Sequence, residues 1–379
     1  MSALFSPLAL RDVALRNRVM VSPMQQYMAG DDGLPTAFHS QHYGRQALGG
    51  AGVVMTEALA ISPEARVTRH DLGLWDDAQA AALAPIAAMI AEAGAVPATQ
   101  LIHAGRKGSV GRPWEGYAPL TAEDAARGSP PWTTLAPSAV PANPGWHTPR
   151  ALDEAGVAAV VADYAAAARR AAKAGFRLLE VHAAHGYLLH SFLSPLSNHR
   201  NDDWGGDFAG RARLALRVAE AVRDAWPAHL PLSFRLSCVD DQPGGWSLED
   251  SVALARELKA RGVDLIDCSS GGLGERTTTR MVRRPEGYQV EYAARIRAEA
   301  GVPTAAVGLI TTPAFAEAVV AEGRADVVAI GREALSDPHW PLRAARALGA
   351  DRGFGMWPPS WGWWLEKRAR AAQAAEREG

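Results

Sequence analysis

The stretch FRLLEVHAAHGYLLHSFLSPLSNHR, residues 176–200, decides how the rest of the chain is interpreted. Its first six residues are mostly apolar and predict a buried β-strand that carries one carboxylate, Glu180. His182, His185 and Tyr187 then follow within six positions. In a continuing strand the two imidazoles would point to opposite faces, whereas a helical turn after His182 would place them on one face. We predict a functional site at the end of this strand, against the alternative of two surface histidines.

Short apolar segments alternate with helical segments on both sides of this stretch. The predicted strands cover residues 18–24, 51–60, 96–105, 176–181, 230–239, 263–269, 302–310 and 325–331. The predicted helices cover residues 39–48, 76–93, 152–173, 211–226, 247–262, 288–300 and 312–323, and one more begins at residues 337–338. Eight buried strands that alternate with eight helices predict an α/β fold, the closed parallel (β/α)8 barrel of TIM type. A doubly wound open sheet is the alternative, but no GxGxxG turn follows the first strand.

Three segments lie outside this alternation. Residues 5–18 predict a short N-terminal hairpin that closes one end of the barrel. Residues 108–148, after the third strand, are rich in Pro, Gly and Trp and predict an ordered excursion or lid over the site rather than a disordered loop. Residues 351–379 form a C-terminal tail with four tryptophans between residues 357 and 364. We expect residues 1–379 to form a single domain, because barrels of this type reach that length.

The charge and the cysteine content argue against several classes of protein. With 39 Lys and Arg against 41 Asp and Glu, the formal charge is −2, and no basic run is present. Nucleic acid and an anionic membrane are therefore not expected as partners. Cys238 and Cys268 lack the spacing of a disulfide framework, a zinc site or an iron–sulfur cluster. No signal peptide or membrane-spanning apolar run is visible, so a soluble cytoplasmic protein is the expectation.

The carboxyl ends of the strands are where a barrel of this type holds its site. The residues expected to converge there are residues 23–27, 57–60, 100–103, 182–187, 235, 268–271, 308 and 331–332. The loops after the seventh and eighth strands often bind phosphate in such barrels. Here Gly308, Gly331 and the guanidinium of Arg332 favour a phosphate site, because glycines allow backbone N–H groups to approach an anion.

Two further polar side chains favour a cofactor, and each also has a simpler explanation. Arg235 ends the fifth strand, and a buried arginine needs an anion, which is either an internal carboxylate (Glu180 or Asp267) or a cofactor that becomes negative on reduction. Gln100 can donate and accept hydrogen bonds, which suits the edge of a flavin. His182 and His185 could instead bind a metal together with a third histidine, His103, but no Asp or Lys stands where it would bridge two metals.

These residues resemble the Old Yellow Enzyme family of FMN-dependent ene-reductases, and the resemblance spans nearly the whole chain. It is carried by LRNR at residues 15–18, SPM at 22–24, Gln100 with HAGRK at 103–107, HAAHGYLLHSFLSPLSNHR followed by DDWGG at 202–206, DCSSG at 267–271, and Gly331 with Arg332. RPWEG at residues 112–116 and DPHW at 337–340 make the chain most similar to the bacterial xenobiotic-reductase branch, also called thermophilic-like.

The resemblance implies noncovalently bound FMN, with NAD(P)H as the reductant. It matches the following residues with cofactor-binding positions: Pro23, Met24, Ala58, Gln100, Arg235, Gly308, Gly331 and Arg332. It implies that His182 and His185 hold the oxygen of a carbonyl or nitro group, with Tyr27 beside them, and that Tyr187 is the proton donor. The expected reaction reduces an activated C=C bond by hydride transfer from the reduced flavin and protonation of the α carbon.

Gln25 and the C-terminal tail bear on the branch assignment. The branch usually carries a cysteine after Ser-Pro-Met, where its thiol contacts the flavin and tunes the potential; with Gln25 at this position, we expect FMN to bind with a changed potential. In this branch the tail reaches the site of a neighbouring subunit, and Trp364 matches the residue that lines the substrate pocket. We favour a homodimer or higher homo-oligomer over a tail packed on its own barrel.

Two other functions stay open at this point. One is a metal-dependent barrel hydrolase, and the other is a flavin-binding redox sensor without turnover. The sequence does not choose between NADPH and NADH or name the physiological substrate. The loop at residues 272–287 is expected to influence nicotinamide binding, although its arginines (Arg276, Arg280, Arg283 and Arg284) are equally compatible with a solvated charged face.

Overall fold

The computed structural model describes residues 2–274 and 284–378 of the chain. Its strands are β1 Leu8–Leu10, β2 Val13–Leu15, β3 Val19–Val21, β4 Val53–Ala60, β5 Val96–Ile102, β6 Leu135–Ala136, β7 Arg150–Ala151, β8 Leu178–Ala183, β9 Leu232–Ser237, β10 Leu265–Ser269, β11 Thr304–Ala306 and β12 Val327–Ile330. Its helices are α1 Ala37–Leu48, α2 Asp77–Glu92, α3 Ala122–Ala126, α4 Glu154–Lys173, α5 Leu188–Leu193, α6 Phe208–Ala225, α7 Leu248–Ala260, α8 Val290–Ala300, α9 Pro313–Ala321, α10 Arg332–Ser336, α11 Trp340–Ala347 and α12 Pro359–Glu378.

Eight of these strands form the closed parallel barrel that the sequence predicts. Their order is β3, β4, β5, β8, β9, β10, β11 and β12, and β12 pairs with β3 to complete the closure. Every residue of β4, β5, β8 and β9 is buried. The barrel interior covers one face of each strand and the surrounding helices cover the other, which is why these strands read as continuous apolar runs.

The helix boundaries follow the capping signals in the sequence. Ser247 precedes α7 and forms a capping box with Asp250, whose backbone N–H donates to the Ser247 hydroxyl at 3.1 Å. Thr312 caps α9, and Pro313 occupies its first turn. Both helices begin within one residue of the starts predicted at residues 247 and 312.

The hairpin and the excursion are ordered parts of the described chain. Strands β1 and β2 pair antiparallel as the predicted N-terminal hairpin. The excursion after β5 contains α3 and β6, and β6 pairs with β7. Within it, Tyr117 packs edge-to-face on Trp146 with ring centroids 5.7 Å apart, and Trp114 packs in the same way on Tyr27 of the barrel mouth at 5.9 Å. Aromatic contacts of this kind hold the excursion against the end of the barrel where the strands terminate.

Two local features differ from the prediction. Strand β11 has three residues instead of the nine predicted over residues 302–310, because the chain leaves the barrel wall before Gly308, whose φ of 126° is incompatible with a strand. Helix α5 was not predicted, since its residues read as the continuation of the histidine-rich stretch. This short helix begins directly after Tyr187 and lies fully buried beneath the end of β8.

Candidate active site

The two histidines are brought together by a left-handed turn. His182 lies in β8, while His185 and Gly186 have φ values of 58° and 74°. The chain therefore reverses through the left-handed region and not through the right-handed helical turn that the spacing suggested. The imidazole rings end 5.0 Å apart, almost perpendicular, with His182 Nε2 at 3.3 Å from His185 Nδ1. A single oxygen atom could contact both nitrogens.

Three side chains from different parts of the barrel hold this turn by its backbone. The Ser237 hydroxyl, at the end of β9, accepts from the His185 N–H at 2.9 Å. Lys107, after β5, donates to the His185 carbonyl at 2.8 Å. His190, in α5, accepts the Gly186 N–H on its Nδ1 at 2.8 Å. These bonds stabilise a conformation that residues other than glycine rarely adopt.

The approach of a neighbouring loop requires glycine in this turn. A Cβ atom on Gly186 would lie 2.5 Å from the carbonyl oxygen of Gly272 and 2.9 Å from Leu273 Cα. Lys107 also donates to the Gly272 carbonyl at 2.8 Å, so one ammonium group joins the turn to the loop that follows β10. The two loops therefore pack backbone against backbone.

Both imidazoles are neutral. Burial, followed by the nearby charge of Arg235, holds the pKa of His182 and of His185 well below the usual value. His182 Nδ1 accepts the Ala184 N–H at 3.1 Å, so the single proton of this neutral ring lies on Nε2, which faces the cavity described next. His185 Nε2 lies 2.7 Å from the Ser269 hydroxyl.

A cavity of about 250 Å³ opens in front of the histidine pair. Its lining residues are Pro23, Gln25, Tyr27, Ala58, Gln100, Ile102, His182, His185, Tyr187 and Arg235. The Tyr187 ring packs edge-to-face on the His182 ring at 5.0 Å. Burial raises the pKa of Tyr187 well above its usual value, so its hydroxyl keeps its proton near neutral pH. The cavity thus combines two neutral imidazoles and a protonated phenol.

A second cavity of about 320 Å³ lies beside the first, and Pro23 and Arg235 line both. Its other lining residues include Ser22, Met24, Ser269, Gly308, Leu309, Gly331 and Arg332. The glycines after β11 and β12 leave room for a ligand to reach the backbone, and Arg332 adds a cation. The two cavities together form an elongated space with a cationic end.

A buried polar cluster forms the floor beneath both cavities. Arg235 Nε lies 3.3 Å from Asp267 Oδ2. The Gln100 amide donates to Glu180 Oε1 at 2.7 Å, and the Ser233 hydroxyl donates to Glu180 Oε2 at 2.8 Å. Arg235 therefore has an internal carboxylate partner, Asp267, and its side chain also lines both cavities.

Comparison with known proteins agrees with this geometry. Residues 3–351 match the model of the NADH:flavin oxidoreductase / NADH oxidase family. The chain belongs to this family. A relative in Geobacillus thermodenitrificans (strain NG80-2), named NADPH dehydrogenase, is 41% identical over 349 residues, which are 92% of this chain and 95% of the relative.

Three solved structures of reductases have the same fold. Morphinone reductase aligns with a TM-score of 0.75 at 29% identity, over 91% of this chain and 90% of that one. An Old Yellow Enzyme homologue from Zymomonas mobilis aligns with a TM-score of 0.75 at 27% identity, over 91% and 92% of the two chains. A 2-naphthoyl-CoA reductase complex shares the fold at a TM-score of 0.81 and 22% identity, and this chain spans 52% of its length.

Membership of the Old Yellow Enzyme family makes this protein an FMN-dependent oxidoreductase that uses NAD(P)H, and the residues fit FMN. Both polar atoms of the Gln25 amide are buried without a hydrogen-bond partner in the described part of the chain. A flavin edge offers both donors and acceptors, so it would satisfy this amide and the neighbouring Gln100. The phosphate would suit the end lined by Gly308, Gly331 and Arg332.

The residues matched with cofactor-binding and substrate-binding positions line the two cavities, except for Trp364, and the possible third metal ligand His103 also lies outside both cavities. Trp364 lies on α12 with 66% of its surface exposed and does not line either cavity within its own chain. His103 accepts the Gly105 N–H on its Nδ1 and does not line either cavity, and burial lowers its pKa to about 4. Arg276, Arg280 and Arg283 lie outside the described residues.

The other functions left open by the sequence can now be weighed. Among residues 2–274 and 284–378, no three His, Cys, Asp or Glu side chains are arranged to hold a metal ion. The family to which the chain belongs is a family of flavin oxidoreductases, so the interpretation as a barrel hydrolase is wrong. No helix in the same ranges is long and apolar enough to cross a membrane.

Lys107, His190 and Ser237 are the site residues that sequence reasoning missed. The signal was present, since Lys107 ends the HAGRK motif and His190 lies in the central stretch. Their partners are backbone atoms of residues far away in sequence, however, and no spacing rule reveals such contacts.

Proposed function

We propose that this protein reduces activated C=C bonds of α,β-unsaturated carbonyl compounds, and nitro compounds, with NADPH as the source of hydride. The observation that carries this proposal is the pair of neutral imidazoles, with His182 Nε2 and His185 Nδ1 3.3 Å apart, that lines a cavity together with the Tyr187 phenol. The choice of NADPH follows the name of the Geobacillus relative. FMN bound in the joined cavities supplies hydride transfer between nicotinamide and substrate.

His182 and His185 act on the substrate oxygen. Each neutral imidazole offers one N–H, and two N–H donors aimed at one carbonyl oxygen withdraw electron density from the conjugated C=C bond. The same donors stabilise the enolate-like charge that develops on that oxygen during the reaction. Because His182 is buried and His185 is half-buried, these hydrogen bonds act with reduced competition from water.

Tyr187 supplies the proton for the α carbon. Its hydroxyl lies on the same cavity wall as the histidine pair and is protonated at neutral pH. A raised pKa makes phenol a weak acid, which suits transfer to a strongly basic enolate carbon rather than loss to solvent. Arg235, which is paired in register with His182 on the neighbouring strand, contributes a cation to the cavity lining, where negative charge on a cofactor would be stabilised.

The decisive experiment compares the wild type with a variant carrying His182→Ala and His185→Ala. We expect the variant to bind FMN and to lose turnover of cyclohexenone with NADPH under anaerobic conditions. Continuous NADPH consumption by the wild type separates an enzyme from a redox sensor, which would bleach only once. Unchanged cyclohexenone reduction by the double variant would refute the assignment.

The finer placement within the family is part of the same proposal. We infer a homodimer of the xenobiotic-reductase type, located in the cytoplasm, in which the tail of one subunit, residues 351–379, brings Trp364 to the site of the other. Support comes from the exposure of three tryptophans on α12, with Trp361, Trp363 and Trp364 exposed by 38%, 51% and 66%. A monomer by light scattering at assay concentration would contradict it.

A further inference from the structure

The His185–Gly186 turn is held by a buried pair of side chains that does not line either cavity. His190, in α5, and Asp240, in the loop after β9, are both completely buried. The Gly186 N–H donates to His190 Nδ1 at 2.8 Å, and His190 Nε2 lies 2.8 Å from Asp240 Oδ1. The backbone of the turn is thus connected through one imidazole to one carboxylate.

This connection allows only one tautomer of His190. Because Nδ1 accepts a hydrogen bond, the proton of the neutral ring must lie on Nε2, facing the carboxylate. Asp240 is itself fixed, since its Oδ2 accepts from the Ser194 hydroxyl at 2.6 Å and from the Trp246 N–H at 2.7 Å. Burial alone would raise the pKa of Asp240, but the interactions with His190, Ser194 and Trp246 lower it below the usual value.

The backbone conformation that this pair supports is costly by itself. A left-handed residue with a side chain costs about 1 kcal/mol or more, and His185 is such a residue. A buried amide without an acceptor adds about 1–3 kcal/mol, which is what Gly186 would experience without His190. The turn therefore persists because its polar groups are satisfied from outside.

We propose that His190 and Asp240 are positioning residues that hold the Gly186 amide and thereby set the gap between the His182 and His185 imidazoles. This inference rests on the proposed function, in which both imidazoles bind one substrate oxygen. Neither residue touches the substrate. Their effect passes through the turn: a relaxed turn moves the His185 ring away from His182, and the two donors no longer converge on one atom.

The variant Asp240→Asn tests this connection with almost no change in size. The Trp246 N–H can only donate, so the amide oxygen of the new side chain must face it, which turns the NH2 group towards His190 Nε2. His190 must then carry its proton on Nδ1, where it opposes the Gly186 N–H. In ¹⁵N spectra of the holoenzyme we expect the His190 proton to move from Nε2 to Nδ1. We also expect kcat/KM for cyclohexenone to fall about 100-fold, the usual effect of misplacing a catalytic group by 1 Å.

His190→Asn provides the conservative counterpart. Its side-chain oxygen can occupy the place of Nδ1 and accept the Gly186 N–H, although it cannot reach Asp240. We expect this variant to keep most of the cyclohexenone activity and most of the affinity for cyclohexanone, an unreactive ketone probe measured by calorimetry. Asp241→Asn, the neighbouring carboxylate, is the matched control and should behave as the wild type.

Two further measurements separate this inference from the proposed function. Reoxidation of the dithionite-reduced protein by ferricyanide, which presents no carbonyl, should be the same in all variants. The positioning role is wrong if Asp240→Asn moves the His190 proton but leaves the kinetics of cyclohexenone reduction unchanged. It is also wrong if the variant slows reoxidation by ferricyanide as much as it slows cyclohexenone reduction. If the variant lacking both His182 and His185 is as active as the wild type, the proposed function fails, whatever Asp240→Asn does.

Discussion

Glu180→Gln offers a direct test of the polar floor beneath the site. Glu180 is fully buried in β8 and accepts from Gln100 and Ser233. Burial, followed by the nearby Asp267, raises the pKa of Glu180 from 4.5 to about 8, although Arg235 opposes this. Glutamine has the same shape, can accept from Gln100 through its oxygen, and can donate to Ser233. The substitution therefore removes the titrating proton and keeps a hydrogen bond to each neighbour, although the bond with Ser233 changes direction.

The sign and size of the effect follow from the two pKa values of Glu180. Between pH 4.5 and about 8 the folded protein holds a proton that the unfolded chain releases, so the free energy of unfolding falls as pH rises through this range. At about 1.4 kcal/mol per pH unit, the cost reaches about 3 kcal/mol at pH 7. Glutamine has no such cost. For a chain of this length, that gain corresponds to a rise in melting temperature of about 4 °C.

The assay is thermal unfolding of the wild type and the variant at pH values from 5 to 8. We expect the two melting temperatures to be close at pH 5 and to diverge steadily towards pH 8, with the variant higher. Glu322→Gln, at an exposed carboxylate, is the matched control and should show no such divergence. A difference that is constant across this range, or a less stable variant at pH 8, would refute the view that Glu180 carries a buried proton.

Three further predictions concern the mouth of the barrel. Gly186→Ala should abolish cyclohexenone turnover, because its Cβ would lie 2.5 Å from the Gly272 carbonyl; Gly128→Ala, with a similar φ of 85° and open space around it, should stay active. Gln25→Cys should retain FMN and shift its midpoint potential in spectroelectrochemical titration, and an unchanged potential with unchanged kinetics would contradict the contact. Burial lowers the pKa of Lys107 from 10.5 to about 7. Between these pH values the unfolded chain binds a proton that the folded protein does not, so the free energy of unfolding rises with pH. The melting temperature of the wild type should therefore rise between pH 7 and 10, and that of Lys107→Met should lack this rise.

The barrel could be predicted because each of its strands can be recognised from its own local sequence. Each is a short apolar run bounded by glycine or proline, and each is covered on both faces, so local composition carries the assignment. The same reasoning placed the ends of the strands, and with them most of the cavity lining. It overestimated β11, since the apolar run from Val302 to Ile310 continues past the point where Gly308 turns the chain away.

The geometry of the histidine pair could not be predicted in the same way. Sequence spacing offered a strand or a right-handed helical turn after His182, and the chain uses neither. The left-handed turn depends on Ser237, Lys107 and His190, which arrive from three separate elements, and on the close approach of Gly272. These tertiary contacts determine the backbone conformation of the turn, and they cannot be inferred from a local sequence pattern.

The backbone contact between Gly186 and Gly272 divides the pocket into a part that can be redesigned and a part that cannot. The donors on one wall are placed by main-chain packing, where any added atom displaces both loops. The side chains of Gln25 and Tyr27, by contrast, line the same cavity from a single segment. A library aimed at new substrates should therefore vary residues 25 and 27, and leave residues 185, 186 and 272 as they are.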